Sequence, residues 1–319
     1  MSRIAVSVIV PTRNRPALLA HALASIAAQD LGRARVEVIV VNDGGVDVAA
    51  TVAAARVHVP VRLLTTKHQG LPAARNAALE AARGAFVAYL DDDDVWLDGH
   101  LAAALDVLDS GGCDLVHTAC LVAHARYDPA AGGPVPARHA FDYVFDPRLL
   151  AVANCMPVGA VVMRSPGRWG PRFDTRLAVQ EDWEYWLRLT RHHRWRVHSL
   201  PVATAIYHRV TDHESMTTSA ATTLTGLRRF AAGHRLIHRR WPVPTGGRIH
   251  QLRGLPHLMY ELVAERIRVG EPVDPCYYEK SLRVIADAVH GRLEVHQAPD
   301  ALTAAIAPTS ILMNREALL

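Results

Sequence analysis

The amino-acid sequence predicts an α/β fold, with a mainly parallel sheet flanked by helices and a helical C-terminal appendage. Over roughly the first hundred residues, β-branched runs alternate with alanine-rich amphipathic runs, which is the rhythm of βαβ units. Past residue 217 the β-branched runs give way to helical patterns. A third observation locates a site, because four aspartates follow one predicted strand and ligands bind beyond the carboxyl ends of such strands.

Strands and helices alternate strictly in the first part of the chain. Strands are predicted over residues 5–10, 36–41, 61–65 and 86–90, and helices over 16–29, 46–55 and 71–83. Polar segments follow three of these strands, at 11–14, 42–45 and 91–94. Because the carboxyl ends of parallel strands meet at one edge of a sheet, we expect the three segments to converge there.

The later part of the chain contains shorter and more widely spaced elements. We predict helices over 98–108 and 183–191 and strands over 115–122, 156–163 and 201–207. A Gly/Pro-rich surface loop is predicted over 128–138. Helices over 258–269 and 278–290 follow a basic amphipathic stretch at 228–240. The helical appendage is therefore expected to cover residues 218–319.

Composition and charge are those of a globular protein. Half of the 319 residues are hydrophobic and 21% are charged, which excludes disordered and fibrous classes. The net charge of +4 permits an anionic partner, but Lys and Arg are dispersed, so we expect no nucleic acid partner. The four cysteines form no CxxC pair, and we expect reduced thiols. Since we find no signal peptide and no run of about 18 apolar residues, we predict a cytoplasmic protein, with attachment to the inner membrane face left open.

Four consecutive aspartates, at 91–94, are the most informative stretch of the sequence. Like charges about 4 Å apart repel by roughly 1 kcal/mol in water, so the run favours a bound cation. Mg²⁺ and Mn²⁺ prefer oxygen ligands, and Mg²⁺ usually completes its shell with water and substrate phosphates. The run therefore indicates a metal-bridged nucleoside diphosphate. A solvated acidic turn and a structural calcium site are the alternatives.

Five motifs, in order along the chain, resemble those of family 2 glycosyltransferases. They are VSVIVPTRNR at 6–15, VIVVNDG at 38–44, QGLPAARN at 69–76, LDDDD at 90–94 and QEDW at 180–183. The resemblance spans residues 4–217 and implies an inverting, nucleotide-sugar-dependent enzyme with a Rossmann-like GT-A fold over 1–217. In the family pattern, residues 1–97 are the nucleotide-binding half and 98–217 the acceptor-binding half.

The resemblance assigns the donor nucleotide to the first two strand ends and the acidic run. Asp43 accepts from the imide N–H of a uracil in this interpretation, while a plain Asn-Asp-Gly-Gly turn is the alternative. Arg75 and Asn76, early in a helix, face the diphosphate, or Arg75 pairs with the aspartates instead. Further contacts with the base, ribose or diphosphate are predicted for Pro11, Thr12, Arg13, Asn14, Asp92 and Arg209.

The family's aspartate-any-aspartate motif maps onto Asp91 and Asp93, and Asp94 follows in the extended form of the motif. Alternation along an extended chain would place Asp91 and Asp93 on one side and Asp92 outward. These carboxylates are predicted to hold Mn²⁺ or Mg²⁺, with Asp93 as the first choice for direct metal contact. Beyond the last strand, His213 is predicted to complete the metal shell.

Asp182 is the predicted general base, because Glu181-Asp182 matches the family's acidic pair. It would remove the proton of the acceptor hydroxyl while the metal stabilises the departing diphosphate. The alternative makes Asp182 a helix N-cap. His208 is a second candidate for the metal position assigned to His213.

The predicted function is transfer of a sugar from a nucleoside-diphosphate sugar, with UDP favoured, to a glycan, lipid-linked or small-molecule acceptor. A non-catalytic nucleotide-sugar-binding or scaffold protein of the same fold is the main alternative. A sugar nucleotidyltransferase is less favoured, because residues 11–15 contain no glycine. The basic stretch at 228–240 leaves peripheral membrane contact and a homodimer open. Trp96, Trp183 and Trp186 are candidates for sugar stacking, with core packing as the alternative.

Overall fold

We describe the protein from a computed structural model. The structure describes residues 4–31, 35–210, 220 and 223–308. The chain divides into two compact units: unit 1 comprises Met1–Phe145 and Met156–His208, and unit 2 comprises Asp146–Cys155 and Arg209–Leu319. The predicted domain boundary at residue 217 lies outside the described residues.

Unit 1 is built around one sheet, which has nine strands over the described residues. The strands are β1 Val6–Thr12, β2 Val36–Asp43, β3 Val61–Thr66, β4 Phe86–Tyr89, β5 Val95–Trp96, β6 Leu115–Ala123, β7 Ala137–Phe141, β8 Val161–Arg164 and β9 Val197–His208. Their order is β3-β2-β1-β4-β8-β6-β9-β5, with β7 paired to β6. The strands β1 to β4 are parallel, whereas β8 is antiparallel to both β4 and β6. The predicted α/β fold is confirmed, with a second half of the sheet that is mixed and not parallel.

The helices of unit 1 connect these strands along the chain. They are α1 Pro16–Ala27, α2 Ala49–Ala55, α3 Leu71–Ala81, α4 His100–Asp109 and, after the short α5 of unit 2, α6 Glu181–Leu187. Helix α3 packs against β1 and β2, and α4 packs against β6 and β8. Every residue of β1 and β2 is buried, as expected for parallel strands covered on both faces.

Three tryptophans lie in the core of unit 1. Trp96 is 1% exposed, and Trp183 and Trp186 are 0% exposed. The indole Nε1 of Trp96 donates to the Gly159 carbonyl at 2.7 Å, and that of Trp186 donates to the Met156 carbonyl at 3.0 Å. The sugar-stacking hypothesis for these rings is therefore wrong, because their faces are packed inside the protein.

Unit 2 is helical over its described residues. Its helices are α5 Pro147–Leu150, α7 Leu224–Arg240, α8 Arg248–Leu252, α9 Gly254–Arg268, α10 Tyr277–Val289 and α11 Ala298–Ile306. The segment Asp146–Cys155 is bound to these helices through its carbonyls, since Arg253 Nε donates to Ala151 and Tyr278 Oη donates to Asn154. Across the described part of the chain, we find no helix with the length and apolar character needed to cross a bilayer.

Candidate active site

The four aspartates that follow β4 form a tight turn, called the acidic turn below. The Asp94 N–H donates to the Asp91 carbonyl at 3.1 Å, which closes the turn. The side chains of Asp92 and Asp94 are 6% and 7% exposed, whereas those of Asp91 and Asp93 are 27% and 15% exposed. The expectation of an extended run with Asp92 outward is therefore wrong, because a turn orients these carboxylates. Asp91 and Asp93 are the more accessible pair.

Asp92 joins the acidic turn to the end of β1. Thr12 Oγ1 donates to Asp92 Oδ2 at 2.6 Å. Arg15 Nη1 donates to Asp92 Oδ1 and to Asp93 Oδ2, both at 3.1 Å. Burial and the neighbouring Asp93 raise the pKa of Asp92 to about 6, although its hydrogen bonds act in the opposite direction. Asp92 is thus a buried anchor, and its contact with a nucleotide stays a prediction.

Asn14 joins the end of β1 to the turn after β2. Its Oδ1 accepts the Val46 N–H at 2.9 Å. A Cβ on Gly45 would lie 2.7 Å from the Asn14 nitrogen, so a side chain there would push the two turns apart. Together with the bond from β1 to the acidic turn, this contact confirms that the three polar segments converge at one edge. Arg13 is exposed at this edge, and Pro11 is buried in β1.

Asp43, the last residue of β2, is held by the loop that precedes α3. Its Oδ1 accepts from Thr66 Oγ1 at 2.7 Å and from the Gln69 N–H at 2.8 Å, and its Oδ2 accepts the Gly70 N–H at 2.8 Å. Burial alone would raise the pKa of Asp43, but these hydrogen bonds lower it, so the carboxylate is ionised at neutral pH. The predicted uracil contact would have to share oxygens that this loop already uses. Sequence reasoning missed the loop, because its residues lie 23 to 27 positions away from Asp43.

Arg75, in α3, lies between the acidic turn and α6, with 1% of its surface exposed. Its Nη2 donates to Asp91 Oδ1 at 2.7 Å, and its Nη1 donates to Glu181 Oε1 at 2.6 Å. Burial would lower the pKa of Arg75, but Asp91 and Glu181 raise it above its ordinary value. The guanidinium therefore stays charged and ties the acidic turn to α6. Of the two roles predicted for Arg75, pairing with the aspartates is the one observed.

Asp182 is the second residue of α6, next to Glu181. The N-cap of this helix is Gln180, which has a left-handed φ of 59° and makes no side-chain capping bond. The alternative assignment of Asp182 as the N-cap is therefore wrong. Its Oδ1 accepts the Trp183 N–H at 2.7 Å, and its side chain is half-buried. Asp182 is thus the sequence neighbour of Glu181, the residue that Arg75 holds.

Asn76 holds the segment that leads into α6. Its Nδ2 donates to the Phe173 carbonyl and its Oδ1 accepts the Phe173 N–H, both at 2.8 Å. The Phe173 ring lies 5.5 Å from the Arg75 guanidinium. A diphosphate contact by Asn76, as predicted from the sequence, would have to use the second N–H of Nδ2, because Phe173 engages Oδ1 and the other N–H.

His208, the last residue of β9, clamps the acidic turn. Its N–H donates to Asp94 Oδ1 at 2.8 Å, and its Nδ1 lies 2.8 Å from the Asp93 carbonyl. Its Nε2 accepts the Tyr127 N–H at 3.2 Å. Because a carbonyl only accepts and an amide N–H only donates, Nδ1 carries the proton and the Nε2 lone pair is used. His208 is therefore a structural residue, which does not fit its assignment as a metal ligand.

Two further predicted residues belong to other parts of the chain. Arg209 lies in unit 2, where its guanidinium pairs with the buried Glu279. His213 lies outside the described residues.

The acidic turn has the chemistry of a site for a hard divalent cation. Among the described residues, no group of three or more His, Cys, Asp or Glu side chains has metal-binding geometry. Burial and then the charge of Asp93 raise the pKa of Asp92 and of Asp94. Asp91 and Asp93 would hold the ion through accessible oxygens, with water and phosphates as the remaining ligands.

Residues 7–132 match the model of Glycosyl transferase family 2. The chain contains a family 2 glycosyltransferase domain. EpsH of Bacillus subtilis, whose name describes it as a glycosyltransferase, is 35% identical over 96 residues, which are 30% of this chain and 27% of EpsH. The poly(ribitol-phosphate) β-N-acetylglucosaminyltransferase TarS of Staphylococcus aureus is 36% identical over 91 residues, 28% of this chain and 16% of TarS. The chain thus matches about a quarter or less of the length of these two relatives.

The fold extends over more of the chain than the sequence similarity does. The crystal structure of TarS 1-349 in complex with UDP-GlcNAc has a TM-score of 0.57 to this structure at 17% identity, and the match covers 95% of this chain and 89% of that one. Another relative is the Escherichia coli UDP-Glc:α-D-GlcNAc-diphosphoundecaprenol β-1,3-glucosyltransferase WfgD, with 30% identity over 104 residues, 32% of this chain and 40% of WfgD. The predicted GT-A fold of the family 2 domain is confirmed by the TarS likeness.

Proposed function

We propose that the protein is an inverting glycosyltransferase, which moves a sugar from a nucleoside-diphosphate sugar to an acceptor hydroxyl. One arrangement supports this proposal most directly: the buried guanidinium of Arg75 holds the acidic turn at 2.7 Å and the start of α6 at 2.6 Å. Such a transfer needs a site for a metal-bound diphosphate and a carboxylate that accepts a proton. The acidic turn and Asp182 would supply these two parts.

The donor is assigned to the edge formed by β1, β2 and the acidic turn. Asp91 and Asp93 would hold Mn²⁺ or Mg²⁺, which as a Lewis acid stabilises charge on the leaving diphosphate. Residues 11–14 and Asp43 border the space assigned to the base and ribose. A UDP-sugar is the favoured donor, in keeping with the name of WfgD and the UDP-GlcNAc complex of TarS.

The acceptor is assigned to the side of Asp182. Its half-buried carboxylate would take the proton of the acceptor hydroxyl while the oxygen attacks the anomeric carbon from the side opposite the nucleotide. By their names, TarS uses poly(ribitol-phosphate) and WfgD a lipid-diphosphate-linked sugar, so a glycan or lipid-linked acceptor is favoured over a free small molecule. A cytoplasmic location, contact with a membrane surface and a homodimer stay predictions from the sequence.

Thermal unfolding with nucleotides tests the donor site. Wild type and Asp93→Ala are measured with UDP, dTDP and GDP, each with and without Mn²⁺. Ligand at 100 times its Kd adds about 2.7 kcal/mol, which raises the midpoint by several degrees. We expect one nucleotide to stabilise the wild type in a Mn²⁺-dependent way and Asp93→Ala to lose the effect.

Asp98→Ala is the matched control, because Asp98 is an exposed aspartate close to the acidic turn in sequence. This variant should respond like the wild type. If no nucleotide shifts the midpoint of the wild type, the donor site is refuted. If nucleotides bind but no sugar donor is turned over with glycan or lipid-linked acceptors, the proposed enzyme is refuted in favour of a non-catalytic nucleotide-sugar-binding protein.

A further inference from the structure

Arg15 and Arg75 both pair with carboxylates of the acidic turn, but they are held differently. Arg75 Nη2 lies 2.7 Å from Asp91, and its side chain is 1% exposed. Arg15 Nη1 reaches Asp92 and Asp93 at 3.1 Å each, and 27% of its side chain is exposed. The guanidinium of Arg15 can therefore exchange its partners for water, whereas that of Arg75 cannot without opening the core.

The backbone of Arg15 is anchored independently of its side chain. Arg15 is the N-cap of α1, with Pro16 as the first helical residue, and its side chain makes no capping hydrogen bond. Its carbonyl accepts the Leu19 N–H at 3.0 Å. A change of side chain at position 15 should therefore leave the start of α1 in place.

Asp92 and Asp93, the two carboxylates that Arg15 contacts, differ in how firmly they are fixed. Asp92 has a second partner in Thr12 Oγ1, at 2.6 Å, and its side chain is 6% exposed. Asp93 is 15% exposed, and Arg15 occupies its Oδ2. A carboxylate oxygen that coordinates a metal ion at close range leaves little room for a guanidinium with the same charge sign beside it. Arg15 and a divalent ion would thus compete for Asp93.

We propose that Arg15 is a resident counter-cation of the acidic turn, which a divalent ion must displace from Asp93 in order to bind, so that this side chain sets the metal affinity of the donor site. The inference rests on the proposed function, which assigns a metal to the turn. Its consequence is that free metal binds weakly until the phosphates of a donor add further ligands. Metal and donor then load together.

Direct Mn²⁺ binding tests the proposal without any transferase assay. Titration calorimetry and the electron paramagnetic resonance signal of free Mn²⁺ give the Kd, with and without UDP. The variants are Arg15→Ala, Arg15→Gln and Arg15→Lys. The matched control is Arg83→Ala, which removes the same charge from an exposed position between α3 and β4, outside the proposed donor site.

We expect Arg15→Ala and Arg15→Gln to bind Mn²⁺ at least about tenfold more tightly than the wild type, because the metal no longer has to break charge-assisted hydrogen bonds. Arg15→Lys should lie near the wild type, and Arg83→Ala should change the Kd by less than about twofold, because an exposed charge is screened. Unchanged or weaker binding by Arg15→Ala and Arg15→Gln overturns the proposal. An equal gain in Arg83→Ala also overturns it, because the effect would then be general electrostatics.

The outcome is separable from that of the proposed function. If Arg15→Ala binds Mn²⁺ tightly and the wild type transfers no sugar, the proposed enzymatic function is refuted and the role of Arg15 still holds. If neither the wild type nor the variants bind Mn²⁺, with or without UDP, the inference and the proposed metal site are both refuted. Nucleotide-dependent thermal shifts still report on the donor site. Because three substitutions are compared, a folding defect in one of them leaves the test intact.

Discussion

Arg75 and Glu181 form a buried ion pair, with 2.6 Å between Nη1 and Oε1 and side chains that are 1% and 5% exposed. The second Nη of the same guanidinium holds Asp91 at 2.7 Å. The three residues come from α3, from α6 and from the turn after β4, so one side chain fixes the distance between the proposed metal turn and the proposed base. A charge buried in this way is costly unless both of its partners are present.

Arg75→Ala should therefore destabilise the protein strongly. Loss of one partner leaves Glu181 buried without its counter-ion, and breaking such pairs costs about 3 to 5 kcal/mol. Urea unfolding measures the change. The control is Arg176→Ala, which breaks an ion pair whose arginine side chain is 80% exposed, and should cost much less. Similar losses in both variants would contradict the role given to Arg75.

Asp182→Asn should abolish most turnover and leave nucleotide binding intact. A general base contributes about 10² to 10⁴ in rate, and an amide cannot accept the proton. The amide oxygen still accepts the Trp183 N–H, so the start of α6 should hold. Steady-state kcat and the thermal shift with UDP and Mn²⁺ are the two measurements. Asp114→Asn serves as control, because Asp114 also accepts a backbone N–H, from Arg196 at 2.9 Å, but lies directly before β6. Retention of wild-type kcat by Asp182→Asn would exclude it as the base.

The strands and their common edge could be predicted because their signals are local. Strands buried on both faces give continuous β-branched runs, and β1 and β2 are of this kind. The predicted bounds stop two residues short, since β1 continues to Thr12 and β2 to Asp43. The residues beyond the predicted bounds, Pro11-Thr12 and Asn42-Asp43, do not continue the β-branched runs, yet Thr12 still pairs with Asn42 in the ladder.

The interior of the candidate site could not be predicted, because its contacts join distant residues. Arg75 and Glu181 are 106 positions apart, and Asn76 and Phe173 are 97 apart. No local pattern encodes such pairs. The conformation of the acidic turn was predicted wrongly for a different reason. Four identical residues show no alternation, so the same sequence fits both an extended strand end and a turn. A single hydrogen bond from Asp94 to Asp91 decides between them.

Asp43→Asn should weaken the loop before α3, although the two side chains have the same shape. Both oxygens of Asp43 face donors, namely Thr66 Oγ1 and the N–H groups of Gln69 and Gly70. An amide places its own N–H₂ group against one set of these donors, which should cost about 1 to 3 kcal/mol in the free energy of unfolding. Urea unfolding and the UDP thermal shift measure the change in stability and in nucleotide binding.

The control for this variant is Asp47→Asn, because Asp47 is exposed and accepts one N–H, that of Ala49 at 2.8 Å. It should alter the free energy of unfolding by less than about 0.5 kcal/mol. Equal stability of the two variants would mean that the loop does not depend on the Asp43 carboxylate.

His234 and His238, one turn apart on α7, both contact the Val152 carbonyl within unit 2. Their Nε2 atoms lie 3.0 and 2.9 Å from it, respectively. Burial lowers the pKa of His238 to about 3 and that of His234 well below its ordinary value, and the positive charge of Arg253 acts in the same direction on both. Both rings are therefore neutral in the folded protein over the whole range from neutral to mildly acidic pH.

Acid should destabilise the protein through these two histidines. Their pKa is lower in the folded state than in the unfolded chain, where it is about 6.5, so the stabilisation is complete above pH 6.5 and is lost as the pH falls below it. The expected loss is about 1.4 kcal/mol per pH unit for each histidine.

His238→Gln retains a donor for the Val152 carbonyl and does not titrate, so its stability should fall less steeply with acid than that of the wild type. Urea unfolding at intervals from pH 7.5 to 5 measures the slopes, and His250→Gln, at an exposed histidine of unit 2, should retain the wild-type slope. Identical slopes for the wild type and His238→Gln would show that this buried histidine does not govern the acid sensitivity.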